Sequence, residues 1–180
     1  DVFQQVGGFD EDFIIYYEDV DLGWRLWLLG YKVLFVPAAI VYHKLHKTGG
    51  RFPVEQRYTL TETNALRVLI KNCEEKTLWQ ILPFSLFMGV RRSVEQAGLD
   101  RQSYQYGRLV PGDTQAGVFE PETKMTRVAT SFLVAIDQIA EEMPRLLERR
   151  HSIQAARVCS DEEIFARFPL RTDNPIFPWR

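Results

Sequence analysis

Seven carboxylates fall in the first 21 residues: Asp1, Asp10, Glu11, Asp12, Glu18, Asp19 and Asp21. Phe9, Phe13, Ile14, Ile15, Tyr16 and Tyr17 are interleaved with them. A carboxylate among large apolar side chains is costly unless it is paired, so the pattern marks a site. Glu18, Asp19 and Asp21 open a stretch with helical character, where unsatisfied backbone N–H groups favour an anion. Asp19, held rigid and anionic there, suits a general base that takes the proton of an attacking hydroxyl, an effect typically worth about 10²- to 10⁴-fold in rate. The same acids also suit a plain helix cap, and spacing alone leaves both readings open. A Ca²⁺ site over Asp10 to Asp21 is a third reading, but it lacks the regular ligand pattern and invariant Gly of an EF-hand loop.

Other residues take supporting parts. Arg25 lies four residues after Asp21 and seven after Glu18, so it either pairs with Asp21 and orients the acidic cluster or serves only as a structural ion pair. Gly7-Gly8 permits a close backbone approach to a substrate, or simply a tight turn. Trp24 and Trp27 share a helix with Leu26 and Leu28 and read as core residues. Asp10, Glu11 and Asp12 read as solvated, apart from one that lines the acceptor side.

Elements must hold these groups. Residues 1–17 read as a loop with a short aromatic-rich element. Glu18 to Leu29 reads as a helix closed by Gly30. Tyr31 to Val36, rich in β-branched and aromatic residues, reads as a buried strand stopped by Pro37, and 38–42 as a second extended piece leading to His43. His43 to Pro53 is basic and Gly-rich. Val54 to Asn72, Thr77 to Gln96 and Glu122 to Arg150 read as helices, the second bent or begun at Pro83. Ser160 with Glu163 spells a capping box for a short last helix. Residues 98–121 read as a linker, and 169–180 as an irregular Pro-rich end. Two short extended pieces are too few for a covered parallel sheet, so the α/β piece is expected to be incomplete. The opening Asp1-Val2-Phe3, without Met, fits a processed product or a fragment.

Composition sets outer limits. The 180 residues, 46% hydrophobic and 26% charged, suit a folded domain with an extension and argue against disorder. A net charge of −2 gives no global electrostatic reason to expect nucleic acid. Cys73 and Cys159 lack metal-type spacing and fit a reducing, cytoplasmic compartment.

Several of these segments, in this order, carry a resemblance. Gly-Gly-Phe-Asp-Glu-Asp-Phe (7–13), Tyr-Tyr-Glu-Asp-Val-Asp-Leu-Gly-Trp-Arg (16–25), Gly-Tyr-Lys-Val (30–33) and Val-Pro-Ala-Ala-Ile-Val-Tyr-His (36–43) resemble the C-terminal half of the catalytic domain of family 2 glycosyltransferases, nearest the rhamnosyltransferase-like group. The likeness is dense over 1–47 and weaker through Asn64-Ala65-Leu66-Arg67 to about residue 90. It implies an α/β, partial GT-A (Rossmann-like) domain lacking its N-terminal nucleotide-binding half, followed by a mostly α-helical extension. The expected division is 1–52 as the catalytic part, 53–97 as helices packed on it, 98–121 as linker, and 122–180 as amphipathic helix and tail. The implied reaction is inverting transfer from a nucleotide-sugar donor to a saccharide or polyprenyl-linked acceptor in cell-surface polysaccharide synthesis. Asp19 would be the base, with Gly7, Gly8, Glu18, Asp21 and Arg25 on the substrate side. His43, 24 residues after Asp19, would help hold a divalent metal, Mn²⁺ or Mg²⁺, whose main ligands this chain lacks. No Asp-x-Asp metal motif follows a strand, so the chain is expected to be inactive alone. The Gln-x-x-Arg-Trp motif of processive synthases is also absent, which favours transfer of one or few sugars.

The run Leu78 to Val90, followed by Arg91-Arg92, is too short to span a bilayer. It reads as a core helix between the catalytic piece and the long helix, with an interfacial helix at the inner membrane face as the other reading. The alternative to an enzyme is a non-catalytic helical module that docks a partner or a membrane.

Overall fold

The computed structural model describes residues 1–42, 49–99 and 126–168. Six α-helices account for most of them: α1 (Val2–Gln5), α2 (Glu18–Leu28), α3 (Val54–Asn72), α4 (Glu75–Gln96), α5 (Arg127–Ala156) and α6 (Asp161–Arg167), with a short 3-10 turn at Gly49–Arg51. Helix α3 runs between the bounds the sequence predicts, and α2 and α4 lie within two residues of theirs. The α5 helix starts later than expected and continues past Arg150 to Ala156, and residues 122–125 lie outside the described set. Pro83 lies inside α4 rather than starting it.

Helices α3, α4 and α5 form the core. Leu66 and Ile70 of α3 meet Phe132, Ile139 and Leu146 of α5, with Leu78, Leu82 and Leu86 of α4 and Met143 packed against them. Apolar residues at three-to-four spacing put one stripe of each helix on this seam. Where α4 crosses α5, a Cβ on Gly89 would lie 2.2 Å from the Phe132 ring, so only glycine permits the approach. The opposite face of α4 is bare: Trp79, Phe84, Phe87 and Val90 are exposed. The expectation of a core helix therefore holds for one face only.

The C-terminal elements fold back on α2. The Val158 and Cys159 N–H groups both donate to the Leu28 carbonyl, at 2.8 and 3.0 Å. Trp24 meets Phe165 edge-on at 6.1 Å, and Trp27 meets Phe168 at 5.4 Å. The expected capping box on α6 is present, with Ser160 and Glu163 each accepting from the other's backbone N–H.

The α/β expectation needs correction. Among the described residues there is no strand. Residues 31–36 are neither helix nor paired strand, and they are not buried: Leu34 is 75% and Phe35 90% exposed. Ile40, Val41 and Tyr42 are exposed as well. A strand exists only where a neighbour takes up its N–H and C=O groups, and no described segment does so here. The residue types favour extension, but they carry no information on whether a partner strand is present. Most of the expected linker, 100–121, and the tail 169–180 lie outside the described residues.

Candidate active site

Gly7 and Gly8 end α1. Both have positive φ, at +81 and +63. Gly7 N–H donates to Gln4 O at 3.0 Å and Gly8 N–H to Phe3 O at 2.8 Å, the paired bonds of a Schellman motif. The turn presents the Val6 and Gly8 carbonyls to Arg25, whose Nη1 and Nη2 donate to them at 2.6 and 2.7 Å. Arg25 Nε donates to Asp21 Oδ2 at 2.8 Å. The guanidinium thus ties α2 to the loop before it.

Asp21 is buried, and its other oxygen accepts from Lys71 Nζ and Asn72 Nδ2, both at 3.0 Å. Lys71 is itself buried, sits 4.7 Å from the Phe13 ring centroid, and also bonds Asp10. Asp10 is shared with Arg149 of α5. Asp12 meets Arg145 at 2.9 Å and Arg149 at 3.3 Å. Burial alone would push the Asp10 carboxyl up, but the Lys71 ammonium, the Asp12 N–H and Arg149 outweigh it and hold the group at about 2. So Asp10 and Asp12 are not solvated as expected. They are buried or half-buried counterions, affordable because α3 and α5 bring cations to them.

Asp21 and Arg25 are therefore spent on each other and on the scaffold. Both are buried, so neither offers a face to a substrate in this structure; they set the helix that carries Asp19. Gly7 and Gly8 sit beside Arg25 in the same turn. Glu18 is half-buried, with Oε2 buried and without a hydrogen-bond partner. His43 lies outside the described residues.

Asp19 differs from the paired acids. It is exposed in the first turn of α2, its Oδ1 accepts from the Val20 N–H at 2.8 Å, and no described cation pairs with it. The chain reaches α2 through two consecutive left-handed residues, Tyr16 at φ +69 and Tyr17 at φ +67. Left-handed backbone costs a non-glycine residue roughly 1–2 kcal/mol, so the surroundings must hold this turn. Next to it, Tyr17, Val20 and Trp24 form one wall of a groove of about 350 Å³, faced by Leu69, Phe84 and Met88, with Glu62 and Arg92 at its rim. The Trp24 Nε1 is buried and has no partner.

Two further observations bear on the site. Among the described residues no three His, Cys, Asp or Glu side chains are grouped to hold a metal ion. Asp10, Asp12 and Asp21 are joined through shared lysine and arginine cations. Burial and the nearby Asp161 carboxylate push the Cys73 thiol up to about 12, outweighing Arg150 and Arg157, so it is no nucleophile.

Sequence reasoning missed Asn64, Arg67, Lys71, Asn72 and Arg149. A signal existed for the first three: they recur at three-to-four spacing along the second half of α3, a polar line among Ala65, Leu66, Val68, Leu69 and Ile70. For Arg149, 139 residues from Asp10, no local pattern points to the contact.

Comparison with known proteins gives this geometry a context. No solved structure matches the chain. The chain is 54% identical over 48 residues to the N-acetylglucosaminyl-diphospho-decaprenol L-rhamnosyltransferase of Mycobacterium tuberculosis, strain CDC 1551 / Oshkosh, and equally to that of strain ATCC 25618 / H37Rv. Those matches cover 26% of this chain and 16% of each relative, so the chain spans a small part of the proteins it resembles. Residues 1–95, over half of the chain and all of α1 to α3, match the family described as glycosyl transferase family group 2, and it is to this family that the chain belongs.

Proposed function

We propose that this chain supplies the acceptor side of an inverting sugar transfer, with Asp19 as the general base. The observation that carries the reading is the contrast among the acids. Asp10, Asp12 and Asp21 are neutralised by scaffold cations, whereas Asp19 is exposed, fixed by one hydrogen bond at a helix start, and free to accept a proton. In the step, an acceptor hydroxyl oxygen bonds to the anomeric carbon as the bond from that carbon to the donor's diphosphate oxygen breaks. The hydroxyl proton passes to Asp19, and the nucleoside diphosphate leaves with the electron pair. Attack opposite the departing bond inverts the carbon.

The relatives' names point to a deoxyhexosyl donor and a lipid-diphosphate-linked acceptor, and the groove lined by Tyr17, Val20 and Trp24 of the same helix start has the apolar wall such an acceptor needs. No helix among the described residues is long and apolar enough to cross a membrane. The bare aromatic stripe of α4 supports surface contact with the bilayer that carries such an acceptor. A divalent metal and its His43 ligand belong to the resemblance; His43 lies outside the described residues, and no step here runs through a metal.

The test is Asp19→Asn in the enzyme that carries this chain. Transfer should fall by about 10²- to 10⁴-fold with substrate binding retained. Retention of most activity removes Asp19 from the role.

A further inference from the structure

The left-handed turn that delivers Asp19 is held by one side chain. Asn64, on α3, is fully buried. Its Nδ2 donates to the Ile15 carbonyl at 2.9 Å and to the Tyr16 carbonyl at 2.8 Å. A residue at φ +69 turns its flanking peptides so that successive carbonyls point the same way, and here both point at the amide. The Asn64 Oδ1 accepts from Arg67 Nη1 at 2.8 Å. That same nitrogen donates to the Asp12 carbonyl at 2.8 Å. Arg67 Nε and Nη2 are fixed by a two-bond pair with Glu142 of α5, both at 2.8 Å.

The bonding of Asn64 is therefore complete: both amide hydrogens meet carbonyls and the oxygen meets a cation. The reverse orientation would aim the amide oxygen at two carbonyls, so the network selects one rotamer. The clamp grips the backbone three and four residues before Asp19. It touches neither Asp19 nor the groove.

We propose that Asn64 is a positioning residue for sugar transfer. It holds Tyr16 and Tyr17 left-handed against their own preference and so fixes where α2 begins and where the Asp19 carboxylate stands. This rests on the reading of Asp19 as base. Without the clamp the two tyrosines relax toward ordinary backbone, and the first turn of α2 moves relative to the bound acceptor. A misplacement near 1 Å can cost on the order of 10²-fold in rate while leaving binding largely intact.

The test uses Asn64→Asp, which keeps the side-chain volume and replaces the donors with an acceptor facing two carbonyls. In the enzyme that carries this chain, kcat should fall on the order of 10²-fold with KM for donor and acceptor little changed. Adding Tyr16→Gly should recover most of the loss, because glycine holds positive φ unaided. A purely structural Asn64 would lower the folded fraction and gain nothing specific from glycine at 16. If Asn64→Asp does not fold by circular dichroism, Asn64→Ser is read by the same criteria. A folded variant that keeps its kcat, or a loss that Tyr16→Gly does not relieve, overturns the proposal. Asp19→Asn, measured alongside, separates the two ideas. If it keeps transfer, the base assignment fails whatever Asn64 does; if it abolishes transfer while Asn64→Asp does not, only the clamp fails.

Discussion

Replacing Lys71 with Met tests whether the buried ion network, rather than the apolar seam alone, holds the acidic N-terminal segment on the helices. Lys71 is 1% exposed and lies between Asp10 and Asp21, which come from opposite ends of that segment. Methionine keeps most of the stem and its contact with the Phe13 ring but removes the ammonium. Asp10 keeps Arg149, and Asp21 keeps Arg25 and Asn72, so neither carboxylate is left wholly unpaired. Removing one partner of a buried pair typically costs 3–5 kcal/mol because the other charge stays buried. The surviving partners place the expected loss at the lower end, about 3 kcal/mol. Against a total of roughly 5–15 kcal/mol for a domain, that is a large fraction. Urea unfolding followed by tryptophan fluorescence reads it directly, since Trp24 and Trp27 lie on α2. A loss below about 1 kcal/mol, the scale of a surface pair, would refute the reasoning and make the network incidental to stability.

Two further outcomes are expected. Asp10 titrates at about 2 in the folded chain against 3.8 for the free group, so the unfolded chain takes up its proton first. Its contribution, about 2–3 kcal/mol, is complete above pH 5 and is lost as pH falls through 3.8 toward 2; urea midpoints of Asp10→Asn should vary less with pH over that window, and parallel curves would contradict the assignment. The exposed stripe on α4 should bind bilayers made from phosphatidylcholine and anionic phosphatidylglycerol, and Trp79→Ser with Phe87→Ser should cut co-flotation at least tenfold, each lost aromatic being worth about 2 kcal/mol of apolar burial. Equal flotation of both proteins, or none by either, would remove the membrane contact.

Local chemistry made much of the helical frame legible. Gly30 closes α2 with φ +80, and its N–H and that of Tyr31 bond back to Trp27 and Leu26. Pro53 sits at the N-cap of α3, and Ser160 with Glu163 caps α6; such signals act over three or four residues and can be read from sequence. The site was legible only in part. Asp19 and its helix were visible, but the sorting of the acids was not. Which acids are neutralised depends on Lys71 and Arg149, 61 and 139 residues from Asp10, and long-range pairing leaves no local trace. The ribbon at 31–42 failed for the same reason. Val33, Leu34 and Phe35 favour extended backbone, but a strand is a property of two paired segments, and residue types do not report the pairing.

That ribbon also bears on how long the chain survives. Proteases bind their substrates as extended strands, pairing with backbone groups and reading alternate side chains in pockets. Residues 31–36 are neither helical nor paired, with Leu34 and Phe35 presented to solvent. Within the described helices a protease must wait for the helix to open, and the cost of opening sets the rate. At the ribbon there is no such wait. Cleavage there is limited by encounter with the protease, so stabilising the helical core would not lengthen the lifetime of the chain, whereas a sheet edge laid along the ribbon would.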